Sequence, residues 1–356
     1  MRETTDEPDR LPNAPHPRET LALIGHGAQE RTFLEALRSG RMHHAWLLGG
    51  PEGIGKASFA YRAARFMLAA GEPAERARAV DSLAMREADP ATRRVMARSH
   101  PDLHLLRRSL KPDGKSYTSN IPVDAARRVI DRFGSSAAEG GWRVCIVDSA
   151  EDMDRPTANA LLKLLEEPPP RALFLIVAHA PGRLLPTIRS RCRLLGFEPL
   201  APHQVEEAGR IALERMEAPF DGGALSRAAS LSEGSVKRAL TYVEPQTLAL
   251  VEAVRARLDA LPQIDALALL ALAEDVAGKA GERDFGVMIE TVQGWLSDHL
   301  HAHAAAQPAR LAPLAEVWEK LHKAAREVET YNLDRRPLVI SMFHDLSSAV
   351  ARSRAA

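Results

Sequence analysis

Gly50, Gly53, Gly55 and Lys56 stand in the run Gly49-Gly50-Pro51-Glu52-Gly53-Ile54-Gly55-Lys56-Ala57-Ser58, which has the G-x-x-x-x-G-K spacing of a phosphate-binding loop. Glycines let a backbone fold closely round phosphate oxygens with its N–H groups pointing inward, and a helix starting at the lysine adds positive potential at the same place. Lys56 would then meet the terminal phosphates. The position after the lysine should carry a hydroxyl to hold magnesium, and here it is Ala57, whose methyl cannot ligate a metal. Ser58 comes one residue later, and on a helix that turns it about 100° from the required direction. The loop is therefore expected to bind ATP weakly or structurally, with hydrolysis short of one metal anchor.

A second acidic position follows the run Arg143-Val144-Cys145-Ile146-Val147, which ends in Asp148-Ser149-Ala150-Glu151. A carboxylate at the carboxyl end of a buried strand, in a chain with a phosphate loop, is a candidate magnesium holder. An N-cap for the next helix would explain Asp148 equally well. ATPases of this type place a glutamate directly after that aspartate to polarise water. Ser149 stands there instead, a poor general base without help. Glu151 is expected on the following segment, facing solvent. Both degraded positions serve chemistry, while those that serve binding are kept.

These residues need elements to position them. Ala45–Leu48, Leu103–Leu106, Val144–Val147 and Leu173–Ala178 are short apolar runs separated by helical patterns, which predicts a parallel sheet covered on both faces. Phe59-Ala60-Tyr61-Arg62-Ala63-Ala64 continues the loop as a helix. After Pro202 the texture becomes rich in alanine, leucine and glutamate with a period near 3.6, so the remainder is expected to be helical. Residues 71–98, rich in Arg, Glu and Ala, also read as helical. The expected organisation is a disordered leader over 1–18, a phosphate-loop domain over 19–201, a small helical unit over 202–246 and a second over 247–356.

Forty-seven basic and 47 acidic residues cancel, so net charge gives no attraction to DNA or to an anionic membrane. Two cysteines, Cys145 and Cys192, without CxxC spacing indicate neither a disulfide framework nor a cysteine zinc site. No apolar run approaches the roughly 20 residues of a membrane span, and a cytoplasmic protein is expected. His299 and His303 share metal-ligand spacing on a helix, but with no glutamate in the pattern a solvated face is the better reading. Trp46 and Trp142 flank strands and read as core, and His43-His44 reads as a packing pair.

Downstream, Asp154–Pro169 reads as one helix with Leu161, Leu162, Leu164 and Leu165 on its buried face and prolines at its end. Its wording, N-A-L-L-K-L-L-E-E-P-P, resembles a helix of the AAA+ clamp-loader subunits of bacterial DNA polymerase III. Ser190-Arg191-Cys192 resembles the S-R-C motif of the same family. The resemblance covers roughly 21–243 well and Tyr331–Arg336 weakly. It implies an α/β P-loop AAA+ domain followed by a helical lid and an all-helical collar for oligomerisation. It also implies that Arg191 is a trans-acting arginine finger for a nucleotide on a neighbouring subunit, a role suited to a permanently charged, planar guanidinium.

Gly234–Leu240 is similar to the family's lid sensor motif, with Lys237 where arginine is usual, so the bidentate fork is lost. The four-cysteine zinc module of many members has no counterpart, since residues 71–98 contain neither cysteine nor histidine, and no zinc is expected. By this resemblance the partners are the gamma/tau and delta subunits of a hetero-pentamer, with the sliding clamp and primed DNA reached through the assembly. Ala57 and Ser149 favour a subunit with little or no hydrolysis of its own over an active gamma/tau-type ATPase. Polymerase chemistry is not expected, because no two-metal pair of carboxylates is present in a plausible context. A small-molecule P-loop kinase is disfavoured by the two family motifs.

Overall fold

The computed structural model describes residues 7–8, 10–11, 14–111, 113, 116–134, 141–277, 281–303, 308–331 and 333–355. The chain divides into two compact units, Met1–Leu240 and Thr241–Ala356. In the first, α1 (Gly27–Arg38), β1 (Ala45–Gly49), α2 (Lys56–Leu68), α3 (Pro73–Arg78), α4 (Pro90–Met96), β2 (Leu103–Leu106), α5 (Val123–Gly134) and β3 (Arg143–Val147) are followed by α6 (Arg155–Glu166), β4 (Ala172–Ala178), α7 (Pro186–Arg189) and β5 (Arg193–Gly196). Three helices close the series: α8 (Pro202–Arg215), α9 (Gly222–Leu231) and α10 (Val236–Tyr242).

The five strands are all parallel and lie in the order β2-β3-β4-β1-β5. Every residue of β1, β3 and β4 is buried, as a sheet covered on both faces requires. Successive residues serve opposite faces. Trp46, Leu48, Val144, Ile146, Leu173, Leu175 and Val177 join Phe33 of α1 and Phe59 of α2 in one core. Ala45, Leu47, Cys145, Val147, Phe174 and Ile176 join Phe133 of α5 and Leu161 of α6 in the other. The α/β architecture and the helical remainder follow the sequence expectation. β5 was not anticipated: it is a four-residue edge strand with only Leu195 buried, so it has no apolar run to betray it.

Helix ends follow local chemistry. Asp154 caps α6 by accepting from the Thr157 N–H at 2.9 Å, and Pro156 occupies the first turn, where its missing N–H costs nothing. Residues 71–98, expected to be helical, are so only over the two short helices α3 and α4, with residues 79–89 between them outside any helix.

The segment expected to be a disordered leader differs from that expectation wherever it is described. Glu7 is buried and ion-paired with Arg18, with Arg107 at 2.8 Å and with Arg98 at 3.3 Å. Arg18 donates to the Met96 carbonyl, and Arg65 of α2 donates to the carbonyls of Arg18 and Thr20. Charges that read as solvent-seeking are instead matched by arginines far along the chain, which no local reading of composition can register.

The second unit consists of α11 (Pro245–Asp259), α12 (Ala266–Ala277), α13 (Gly281–His303), α14 (Pro308–Tyr331) and α15 (Arg335–Ala355). Val292, Leu296, Leu314, Phe343 and Leu346 are among its core residues. His299 stacks on Trp295 with ring centroids 4.1 Å apart, whereas the side chains of His301 and His303 lie outside the described residues. Among the described residues no helix is long and apolar enough to cross a membrane.

Phe174 lies at the centre of the sheet and stacks on Phe133 with centroids 5.1 Å apart. Phe174→Ala is expected to destabilise the chain by about 3–5 kcal/mol, the usual cost of a large core truncation, read from the shift in the urea unfolding midpoint.

Candidate functional site

Parallel strands put all their carboxyl ends on one edge of the sheet, where open α/β sheets bind ligands. The loop Gly50–Gly55 leaves β1 there, Asp148 and Ser149 follow β3, and His179 follows β4, the strand between them. The loop needs its glycines. Gly53 has φ +76°, and a β-carbon on it would lie 2.2 Å from Ser235 Oγ and 2.6 Å from Lys237 Cβ. One on Gly50 would lie 2.2 Å from the Phe197 carbonyl oxygen.

Lys56 opens α2 and is only 2% exposed. Its ammonium donates to the carbonyls of Gly50, at 2.6 Å, and Pro51. Burial pushes its pKa down to about 8, partly offset by the charges of Glu52, Glu151 and Asp148. His26, just ahead of α1, has Nε2 2.6 Å from the Ile54 carbonyl and steadies the loop from below; burial lowers its pKa.

A cavity of about 230 Å³ opens along this edge. Gly53, Gly55, Lys56, Ala57, Ser58, Asp148 and Lys237 all line it, as do Glu52, Ser149 and His179. Leu11 and Pro15 of the N-terminal segment, Leu23, Ile211 and Leu240 add apolar lining. Arg191 does not line it. The finger candidate follows α7, is about one-third exposed, donates to the Thr187 carbonyl at 2.9 Å and pairs with Glu166 at the end of α6 at 2.7 Å.

Ser149 adopts left-handed backbone, φ +58°, a conformation that costs a non-glycine residue of order 1 kcal/mol, and its Oγ lies 3.3 Å from His179 Nε2. Glu151 corrects the sequence reading. It is half-buried and Oε1 accepts the Ala180 N–H at 2.6 Å, because the end of β4 brings an unpaired backbone donor beside it. The short 3-10 turn Ala150–Asp152 has Ser149 at its N-cap position and α6 takes its cap from Asp154, so Asp148 holds neither N-cap position.

Three participants escaped the sequence reading. Glu52 sits within the loop as a variable letter, yet its carboxylate pairs with Lys237 Nζ of α10. His179 carried a usable signal: a polar side chain directly after seven apolar residues. The N-terminal segment offered none.

Loop, strand order and the three helices that follow the sheet together define a P-loop α/β unit. Residues 25–201 match the family model described as DNA polymerase III, delta subunit. DNA polymerase III subunit delta' of Yersinia pestis is 31% identical over 65% of this chain and 64% of its own. The delta' subunit of Bacillus subtilis is 33% identical over 50% and 49%, and that of Pseudomonas aeruginosa 37% over 42% and 41%. The chain thus spans between two-fifths and two-thirds of the length of these relatives. Over residues 25–201 the chain is thus similar to the DNA polymerase III delta-subunit family.

The wall of the cavity contributed by the N-terminal segment is pH-sensitive. Burial pushes His16 down to about 3, against the pull of Glu7, whose Oε2 lies 3.4 Å from Nε2. In the unfolded chain a histidine titrates near 6.5, so below that pH the unfolded state takes up a proton that the folded state refuses, and stability falls as pH falls. Glu7 acts in the same direction at lower pH. Burial raises its pKa, but His16, Arg18 and Arg107 outweigh burial and leave it below the usual value. Between pH 6.5 and 5.5 the wild type is expected to lose about 1 kcal/mol more than His16→Gln, measured by urea titration at the two pH values.

Proposed function

We propose that this chain is a clamp-loader subunit of a bacterial replicative DNA polymerase. In this reading it supplies Arg191 to a nucleotide on a neighbouring subunit and hydrolyses little or no ATP itself. The observation that carries the reading is the separation of the two features. The loop that could bind phosphate lines one cavity with a methyl at Ala57, while Arg191 lies outside that cavity, partly accessible and held by a half-exposed ion pair to Glu166 and a hydrogen bond to the Thr187 carbonyl. A pair of that exposure is worth about 0–1 kcal/mol, so a better anion can draw Arg191 away at little cost.

The apolar lining of the cavity suits a purine, and Lys56 with the loop amides suits its phosphates. The donor set does not make a magnesium site: Asp148 offers oxygen, Ala57 offers none, and Ser58 is turned further round the helix. Binding without turnover is what these residues support. In the same reading the divisions 19–201, 202–246 and 247–356 are AAA+ domain, lid and collar. The partners are gamma/tau and delta subunits in a hetero-pentamer, acting on the sliding clamp and primed DNA in the cytoplasm. The polymerase reaction belongs to other chains. A gamma/tau-type ATPase is the competing reading, favoured by a 27% identical alignment over 86% of this chain with tau of Salmonella typhimurium. Ala57 and Ser149 argue against it.

Two measurements test the proposal. Arg191→Ala is expected to leave the chain folded and assembled but to reduce turnover at the neighbouring site by at least tenfold, given that arginine fingers are generally worth about 10³ to 10⁵. Unchanged DNA-stimulated ATPase in the reconstituted loader would remove the finger assignment. Lys56→Ala is expected to change clamp loading by less than about twofold, and sustained magnesium-dependent ATPase by the purified chain alone would favour the competing reading.

A further inference from the structure

The loop and the lid are already joined. The Val236 N–H donates to the Gly53 carbonyl at 3.0 Å, and the Lys237 N–H approaches the same oxygen at 3.4 Å. Gly53 packs so closely on Ser235 and Lys237 that no side chain would fit there. One position before it, the Glu52 carboxylate takes the Lys237 ammonium as its ion-pair partner. Glu52 also lies within electrostatic reach of His179 and Lys56, and together with Lys237 these are cationic or protonatable groups that line the cavity beside the loop, Arg10 and His16 of the N-terminal segment being the others in its lining. Lys56, His179 and Lys237 are the groups that a nucleotide's last phosphate would attract.

We propose that Glu52 is a built-in anion that takes the place of a terminal phosphate, latching α10 onto the loop without nucleotide and setting the site against triphosphates relative to diphosphates. The physical basis is charge. A carboxylate beside Lys237 neutralises the lysine while the site is empty of phosphate, and it repels a γ-phosphate that would compete for the same ammonium. A diphosphate ends short of this contact and meets mainly the loop amides and Lys56. The latch explains how a lid can close over a loop whose magnesium-binding position is a methyl. Closure in most phosphate-loop proteins draws on the ligand, whereas here the ligand's charge is supplied by the loop itself. The selectivity rests on the loop being a nucleotide site; the latch does not.

The test uses the full-length chain with N-methylanthraniloyl-ADP and N-methylanthraniloyl-ATP, and amide hydrogen exchange in parallel. Wild type is expected to bind the diphosphate at least as tightly as the triphosphate, and Glu52→Gln to strengthen triphosphate over diphosphate by about tenfold, the scale of one like-charge contact near a protein surface. An unchanged ratio overturns the selectivity. Binding of neither nucleotide to either protein removes the nucleotide reading and the selectivity with it, and the latch is then decided by exchange alone. The amides of Val236 and Lys237 should be protected in the nucleotide-free wild type and exchange a few-fold faster in Glu52→Gln, as expected for loss of a half-exposed ion pair. The charge-exchanged chain, Glu52→Lys with Lys237→Glu, should restore protection. Equal exchange in wild type and Glu52→Gln overturns the latch.

Discussion

Parallel pairing of β1 between β4 and β5, and of β4 between β1 and β3, is the constraint on which the site depends. Parallel strands cannot be joined by tight turns, so each connection crosses a face of the sheet and every strand ends on the same edge. That edge receives the phosphate loop, His179 and the Asp148-Ser149 pair side by side, although about 130 residues separate the first from the last of them in sequence. The helices that make the crossings also bury both faces. The fully apolar strands are therefore a consequence of the same constraint, and the polar residues directly beyond them stand out as the ones exposed at the ligand edge.

Charge management within the P-loop unit comes in two grades. Glu7, Lys56 and Arg65 are nearly inaccessible, and each is held by several partners because an uncompensated buried charge would cost several kcal/mol. These contacts fix structure and do not exchange readily. Glu52–Lys237 and Arg191–Glu166 are half-exposed, and pairs of this kind contribute little net stability. A pair that is cheap to break can be traded for another anion. The exchangeable pairs lie at the two places where function is proposed, one at the loop and the other at the arginine beyond α7.

What could be read from the sequence follows from how local each signal is. β1 to β4 announce themselves as apolar runs, and the loop is a contiguous spacing, so both were legible. β5 was not, because an edge strand with three exposed residues looks like a loop. Glu7 and its arginines were not legible either, since Arg98 and Arg107 arrive through tertiary structure and make a buried anchor from a segment whose composition resembles disorder. Glu151 was misplaced for a related reason: its acceptor role depends on a backbone N–H at the end of a different strand. Glu52 illustrates the limit most directly. Within the loop it is an unspecified position, and only the arrival of α10, 185 residues later, gives its carboxylate a partner.

Ser149 shows that a position can lose one role without becoming idle. In related ATPases the residue after the strand's aspartate activates water, and a serine hydroxyl is a weak base for that purpose. Here the backbone at Ser149 is held in a left-handed conformation that carries a cost for serine, which persists only where surrounding contacts require it. Those contacts are visible: the hydroxyl lies against His179 at the end of β4, and two residues on Glu151 holds the Ala180 N–H. Together they tie the carboxyl ends of β3 and β4 to each other at the rim of the cavity. Ser149 and Glu151 therefore act as struts for the carboxyl edge of the sheet, beside the loop that follows β1.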